Sequence, residues 1–518
     1  MSLIDLLIIS PLIIPLFTGI VCMLGIAIRP TSRKIQHALS FTGSAIILIT
    51  SIFLLSKVIT SGIQVVQIGS WPMPFGITLV ADQFSTIMVL ISAIIGLTGV
   101  IYSLASINPE REKFGYYPVL FFLLLGINGA FLTGDLFNLY VWFEVMLMSS
   151  FVLMGIGQSP IQTSGSIKYV TINLFSSAIF LTALGILYGL IGTLNMADLA
   201  VKFSQVRGNP SVNGIITLVS ALFLICFGIK AAVFPLFFWL PDSYYNPPPA
   251  ISAIFAGLLT KVGVYALIRT FTLIFPLNQS PLQTIVIWIA GLTMIIGVLG
   301  AVAQNEVRRI LSFHIISQIG YMVMGLAIFS PLALAGSVFY IFHHVMVKTN
   351  LFFISGVIER MGGTGELKKL GGFYNHLPYL AIFFIISAFS LAGLPPLSGF
   401  FAKLILLQSG IFVQSFWLVT VALFVSFLTL YSMTKIWAQV FWKPTSLDID
   451  DKGENIQHKI KYTSPSNLQL WLTPIFLLSM ITLLMGIGSG ILFPFASFTG
   501  EELFNPTNYI EAVFRSGQ

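Results

Sequence analysis

The stretch LFLICFGIKAAVFPLFFWLPD, residues 222–242, decides the class of this protein. Lys230 is its only charge until Asp242 closes it, and Pro235 and Pro241 follow the lysine. About twenty apolar residues carry a helix across a bilayer core. A lysine inside such a run costs at least ~2.5–3.5 kcal/mol on insertion scales, so its presence asks for a reason. Proline removes backbone hydrogen bonds, and a span unwound near mid-membrane can line an ion site.

The rest of the chain repeats this composition. Of 518 residues, 56% are hydrophobic and 8% charged, against roughly 25% charged in soluble domains. The mean hydropathy is +0.95. These values exclude a soluble enzyme, a nucleic-acid-binding domain and a disordered chain, and leave an all-α polytopic membrane protein. The net charge of +7 is therefore a matter of loops and orientation, with no nucleic acid implied. Cys22 and Cys226 sit in apolar runs. Two thiols are too few for an iron–sulfur cluster, which takes about four, and no CxxC suggests zinc. No metal and no cofactor are expected. The first residues have no basic n-region and no small-residue cleavage site, so the first apolar run reads as a retained span.

Apolar runs between Gly, Pro, Asn and charged residues predict fourteen spans. They lie near 4–28, 37–57, 83–106, 116–133, 136–157, 167–192, 213–240, 250–273, 283–304, 309–329, 332–358, 377–410, 412–442 and 469–494. With that count, sixteen Lys and Arg fall in odd-numbered loops and five in even-numbered loops and the tail, Arg269 among them. Positive residues prefer the cytoplasm, which puts both termini outside it.

Of the 25 Lys and Arg, the remaining four, Lys230, Lys261, Lys348 and Lys403, fall inside spans. Glu144, in FNLYVWFEVMLMSSF, is the one acid deep in a span, beyond reach of either surface. A carboxylate and lysines at this depth suit a proton path, because lysine can give up its proton when buried and arginine cannot. A structural ion pair between helices is the alternative. Lys261 lies near half-depth, with Gly257 and Gly263 permitting close helix approach. Lys403 follows SLAGLPPLSGFFAK, whose Pro395 and Pro396 break the twelfth span as Pro235 and Pro241 break the seventh. The two broken spans are five apart, as two five-helix repeats (spans 4–8 and 9–13) of opposite membrane orientation would place them. The expected division is 1–106, 107–280, 281–442 and 443–518. In YIFHHVMVKTNLFF, His344 and Lys348 share a helix face and histidine titrates near neutrality, so this face would join Lys261 to Lys403. The adjacent His343 points elsewhere, which argues against a metal pair. His314, in RRILSFHIISQIG, has the weaker claim of a single polar helix residue. Lys168, Asp82, Asp135 and Asp242, near span ends, suit solvated or capping roles as well as mechanistic ones. The hydrophilic stretch 443–465 reads as a cytoplasmic loop without catalytic content.

These pieces resemble the antiporter-like subunits shared by respiratory complex I, membrane-bound hydrogenases and Mrp-type multisubunit Na+/H+ antiporters. The resemblance rests on FNLYVWFE, KAAVFPLFFWLPDSY, LTKVGVYALIR, RRILSFHIISQIGYM, HHVMVKTNLFF and LAGLPPLSGFFAK, from about residue 80 to 410. Within the family, LPDSYYNPPPAISAIFAGLLTKVGVYAL, LTGDLFNLYVWFEVMLMSSFVLMG and the terminal NPTNYIEAV are most similar to the D-subunit branch of the Mrp type. The resemblance implies ion-transfer roles for Glu144 on the fifth helix, Lys230 on the broken seventh, Lys261 on the eighth and Lys403 on the broken twelfth. It also implies other subunits of a hetero-oligomeric Mrp complex as partners, Na+ and H+ as transported ions, and the membrane of a prokaryotic cell. The family's LP-x-x-H reads LPDSYYN here, so no histidine role carries over at that point. The long lateral helix of the largest complex I subunit has no counterpart after residue 494. A proton-pumping subunit of a complex I-type oxidoreductase or hydrogenase is the alternative function. An independent solute carrier is a third.

Overall fold

In a computed structural model, residues 3–28, 33–156, 160–206, 210–444, 447–449, 455–457 and 465–516 are described. They fold as α1 (Leu3–Ile28), α2 (Arg33–Ser61), α3 (Gln83–Ser106), α4 (Tyr116–Leu132), α5 (Leu136–Gly155), α6 (Pro160–Ile191), α7 (Pro210–Ala231), α8 (Pro249–Leu273) and α9 (Leu282–Ala303). There follow α10 (Val307–Ile328), α11 (Pro331–Gly362), α12 (Pro378–Ala392), α13 (Ser398–Phe412), α14 (Phe416–Trp437), α15 (Pro465–Ile487), α16 (Ser489–Phe504) and α17 (Thr507–Ser516). Short helices at Pro109–Lys113, Met196–Val206, Trp239–Tyr245 and Phe373–His376 connect them. Among the described residues, twelve helices are long and apolar enough to cross a membrane, while α4, α12 and α13 are apolar but shorter.

Local chemistry fixes the helix ends. Asp82 and Ser85 form a reciprocal capping box at the start of α3, which satisfies backbone donors that the helix itself leaves free. The Asp135 carboxylate accepts from the Asn138 amide at 2.8 Å and caps α5. Burial pushes that carboxyl up to about 6, against the backbone amides that favour its charged form. Of the three span-end acids, Asp82 and Asp135 are thus caps.

The seventh predicted span ends as a helix at Ala231, and a turn leads to Trp239–Tyr245. The twelfth divides at Gly393–Leu397 into α12 and α13. The fourteenth, expected over 469–494, bends after Ile487, and α16 continues to Phe504 against α11. Lys168 and Asp242 pair at 2.6 Å on the surface, linking α6 to the short helix after the first break. Strands β1 (Gln64–Gln67) and β2 (Thr78–Ala81) form an antiparallel hairpin with Gln64 opposite Ala81, a feature that span-finding passes over. In the hydrophilic stretch, β3 (Leu447–Ile449) pairs antiparallel with β4 (Asn455–Gln457), and residues 445–446, 450–454 and 458–464, Lys452, Lys459 and Lys461 among them, lie outside the described residues.

The core runs along α8, buried over its whole length, and the largely buried α10 and α11. α8 packs between α7, α3 and α11, and α11 also contacts α13, α15 and α16. Large apolar side chains such as Phe17, Phe53, Phe175 and Phe427 stand exposed on α1, α2, α6 and α14. In a chain of this composition such a surface is covered by lipid or by neighbouring subunits.

One residue read as a loop cation is internal. Arg269, in α8, pairs with Asp82 at 2.6 Å with both side chains 6% exposed. Its guanidinium lies over the rings of Phe84, Tyr265 and Tyr509, so α17 is docked on the pair. Removing one partner of a buried pair strands the other charge, at about 3–5 kcal/mol. Asp82→Ala and Arg269→Leu should therefore lower the thermal midpoint of the purified protein sharply, and a midpoint within a degree of wild type contradicts this.

Candidate functional site

The site is a row of buried basic side chains on five helices. Lys230 is in the last turn of α7, immediately before the break. Its ammonium donates to Ser177 Oγ of α6 at 3.4 Å and lies 4.9 Å from the centre of the Phe143 ring. Phe143 precedes Glu144 on α5, and the Glu144 carboxylate is near enough to attract Lys230 electrostatically. The two are neighbours without forming an ion pair, contrary to the simple pairing that burial of opposite charges suggests; the aromatic face takes the place of the carboxylate. Glu144 is half-buried, and its Oε1 is enclosed with no hydrogen-bond partner.

Lys261 lies on fully buried α8, where its ammonium donates to the Ala256 carbonyl of its own helix. Thr260 Oγ1 and Thr349 Oγ1 nearby have no partner. The close approach of α8 and α11 requires Gly257, since a Cβ there would strike the Thr349 hydroxyl. On α11, Lys348 donates to the Leu311 carbonyl of α10 at 3.0 Å. His344, one turn away, has neither ring nitrogen bonded and lies within electrostatic reach of Lys261, Lys348, His343 and His314.

His314 of α10 hydrogen-bonds Ser432 Oγ at 2.6 Å through Nε2 and leaves Nδ1 unpartnered. It feels the charges of Lys348 and Lys403, so the single histidine of its helix belongs to the row. His343 turns to the second break, where Nδ1 meets Ser398 Oγ at 2.9 Å. Lys403, in α13, donates to the carbonyls of Leu391 and Ala392 at 3.0 Å each. These are carbonyls at the C-terminus of α12, which the break leaves without helical donors, at the negative end of the helix dipole. Gly393 ends α12 at φ +92°, and a Cβ there would stand 2.9 Å from Lys403 Cδ. The glycine thus serves both the left-handed cap and the packing of the lysine. The Lys403 ammonium also lies 4.8 Å from the centre of the Tyr321 ring.

Lys261, Lys348, Lys403, His314, His343 and His344 are all buried, and among the described residues none is ion-paired. Like charges at low dielectric repel strongly, so these groups cannot all carry a proton together. Among the described residues no group of three or more His, Cys, Asp or Glu could hold a metal.

The fold and this row define a multi-pass membrane protein with a row of basic side chains buried in its interior. Residues 133–429 match the family described as "NADH:quinone oxidoreductase/Mrp antiporter, TM", and the chain belongs to that family. It is 44% identical to the D subunit of the Na(+)/H(+) antiporter of Alkalihalophilus pseudofirmus, over 98% of this chain and 99% of that protein. Identity to the corresponding D subunit of the Na(+)/H(+) antiporter of Bacillus subtilis is 41%, over 98% and 99%. Among solved structures, it superposes on a chain of the Mrp complex from Dietzia sp. DQ12-45-1b with a TM-score of 0.89 and 32% identity, covering 99% of this chain and 100% of that one.

Proposed function

We propose that this chain is a membrane subunit of a multisubunit Na+/H+ antiporter, a transporter component with no enzymatic chemistry, and that it works beside other subunits of an Mrp-type complex. Protons cross it through Glu144, Lys230, Lys261, the His344–Lys348 face with His314, and Lys403. The row of buried basic groups without ion-pair partners carries this reading. Relatives named as the D subunit of a Na(+)/H(+) antiporter, matched over nearly their full length, select the cation/proton class. Unpartnered atoms at Glu144, Thr260, His344 and Thr349 suit water bridging between carriers, since an unsatisfied buried polar group costs about 1–3 kcal/mol.

The breaks beside Lys230 and Lys403 take equivalent places in two inverted five-helix repeats, and fourteen spans follow if α4 and the α12–α13 pair each cross the bilayer. The Lys and Arg distribution then puts both termini outside the cytoplasm of a prokaryotic cell. A cysteine placed at Arg515 should react with an impermeant reagent from outside intact cells, and labelling only from the cytoplasmic side sinks that orientation. The function itself is tested in vesicles holding the assembled complex. A sodium gradient should drive proton movement that disappears when this chain is omitted. Proton movement driven by quinone reduction and indifferent to sodium would support the oxidoreductase alternative instead.

A further inference from the structure

At one end of the bundle an open cavity of about 420 Å3 lies where α3, α10, α11 and α15 meet, lined by Tyr102, Tyr245, Glu306, Arg308, Glu359 and Trp471. It is polar where most of the surface of this chain is greasy. Glu306 is the N-cap residue of α10 but makes no capping bond. Its carboxylate is free to face the cavity, with its side chain only 14% exposed. Glu359, near the end of α11, faces it: a Cβ on Gly365 would stand 2.9 Å from Glu306 Oε1 and 3.0 Å from Glu359 Oε1, so both oxygens converge on that glycine. The loop is held by bonds from the Val307 amide to the Gly365 carbonyl and from the Leu367 amide to the Asn305 carbonyl.

The two carboxylates differ in their partners. Arg308 Nε meets Glu359 Oε1 at 2.7 Å, and its Nη1 holds the Pro247 carbonyl at 2.6 Å. Arg309 stands 3.7 Å from Glu306 and stacks on Tyr245, which hydrogen-bonds Glu306. Glu359 thus sits in a tight pair with Arg308, and Glu306 is the looser one. Arg360 also lines the cavity, as does Glu366, which pairs with Lys369. Burial, opposed by Arg308 and reinforced by Glu359, pushes the Glu306 carboxyl up to about 7.

Tyr102 floors the cavity, stacked on Phe353 with its hydroxyl donating to the Phe353 carbonyl at 3.0 Å. Beyond it on α11 lie the unpartnered Thr349 hydroxyl and Lys348. Eleven residues separate Glu359 from Lys348, about 16 Å of helix.

We propose that Glu306, facing Glu359 across Gly365, is the proton-collecting group at the surface end of a path into the Lys348–Lys261 cluster. It takes a proton from water on this side as a carboxylate and releases it inward as a carboxylic acid. This rests on the relay reading above. A group that must be reprotonated matters most where protons are scarce. In assembled complexes, Glu306→Gln should lose sodium-driven proton flux by at least about tenfold at pH 8.5, approaching wild type at pH 6, and Glu306→Asp should keep most of the flux at both. Tyr245→Phe removes a hydroxyl that favours the ionised carboxylate, and should move the alkaline limb to higher pH. An unchanged pH profile in Glu306→Gln overturns the proposal. So does equal loss in Gln and Asp at every pH, which would mark a scaffold for Arg309 and Tyr245. If Glu306→Gln does not assemble, an unmoved limb in Tyr245→Phe overturns it. Flux retained in Lys230→Arg would sink the underlying relay, whereas inactive Lys→Arg variants beside a wild-type Glu306→Gln profile would sink the collecting role alone.

Discussion

Replacing Glu144 by glutamine or alanine should abolish sodium-driven proton flux while the chain still inserts and joins its complex. The reason lies in what the carboxylate lacks. Its Oε1 is enclosed without a hydrogen bond, and among the described residues no ion pair fixes it, so removing it strands no ion-pair partner and costs the fold little. Glutamine keeps the size and polarity but neither holds a charge nor exchanges a proton. The attraction that Glu144 exerts on Lys230 disappears as well, and both effects act on the same step. Losing a positioned proton carrier typically costs about a hundredfold or more. Dye-reported proton flux in everted vesicles, with co-purification of the partner subunits as the assembly control, measures it. Flux near wild type in Glu144→Ala would remove Glu144 from the path.

Much of this arrangement is legible in the sequence because lipid is an unforgiving solvent. An apolar run must be long, a charge within it is conspicuous, and a proline inside it breaks the helix. For these reasons the breaks after Lys230 and before Lys403, and all four internal lysines, can be read without coordinates. What escapes is whatever depends on residues far apart in the chain. Arg269 reads as a span-end cation, yet Asp82 and the rings of Phe84, Tyr265 and Tyr509 gather around it from α3, α8 and α17. Glu306 and Glu359 each look like loop charges, and only the fold brings them to Gly365. The bend after Ile487 falls within a continuous apolar run, where hydrophobicity alone does not mark a helix end. His314 reads as an isolated polar residue because its neighbours Lys348 and Lys403 lie on other helices. An ion pair between helices is one reading of Glu144 and the buried lysines, and the placement of the Lys230 ammonium on the Phe143 ring is visible only in three dimensions.

Arginine in place of Lys230 or Lys403 should stop turnover as completely as alanine does, and this distinguishes a relay from a scaffold. Arginine preserves what these lysines do electrostatically. At Lys230 a guanidinium can lie on the Phe143 ring as the ammonium does, and arginine is the better cation for an aromatic face. At Lys403 it can donate to the Leu391 and Ala392 carbonyls at the negative end of α12. If the lysines only hold helices together or balance the helix dipole, both variants retain flux. If each must release and regain a proton, neither can, because arginine stays charged in proteins. A loss of about a hundredfold or more is expected for each. The Gly393–Lys403 contact leaves little room at the second site, so assembly and thermal midpoint are measured beside flux. At Lys230, whose ammonium lies on the Phe143 ring, a well-assembled but inactive arginine variant is the cleaner result. Sodium-driven proton flux retained in an assembled Lys230→Arg complex defeats the relay, whatever happens at Lys403.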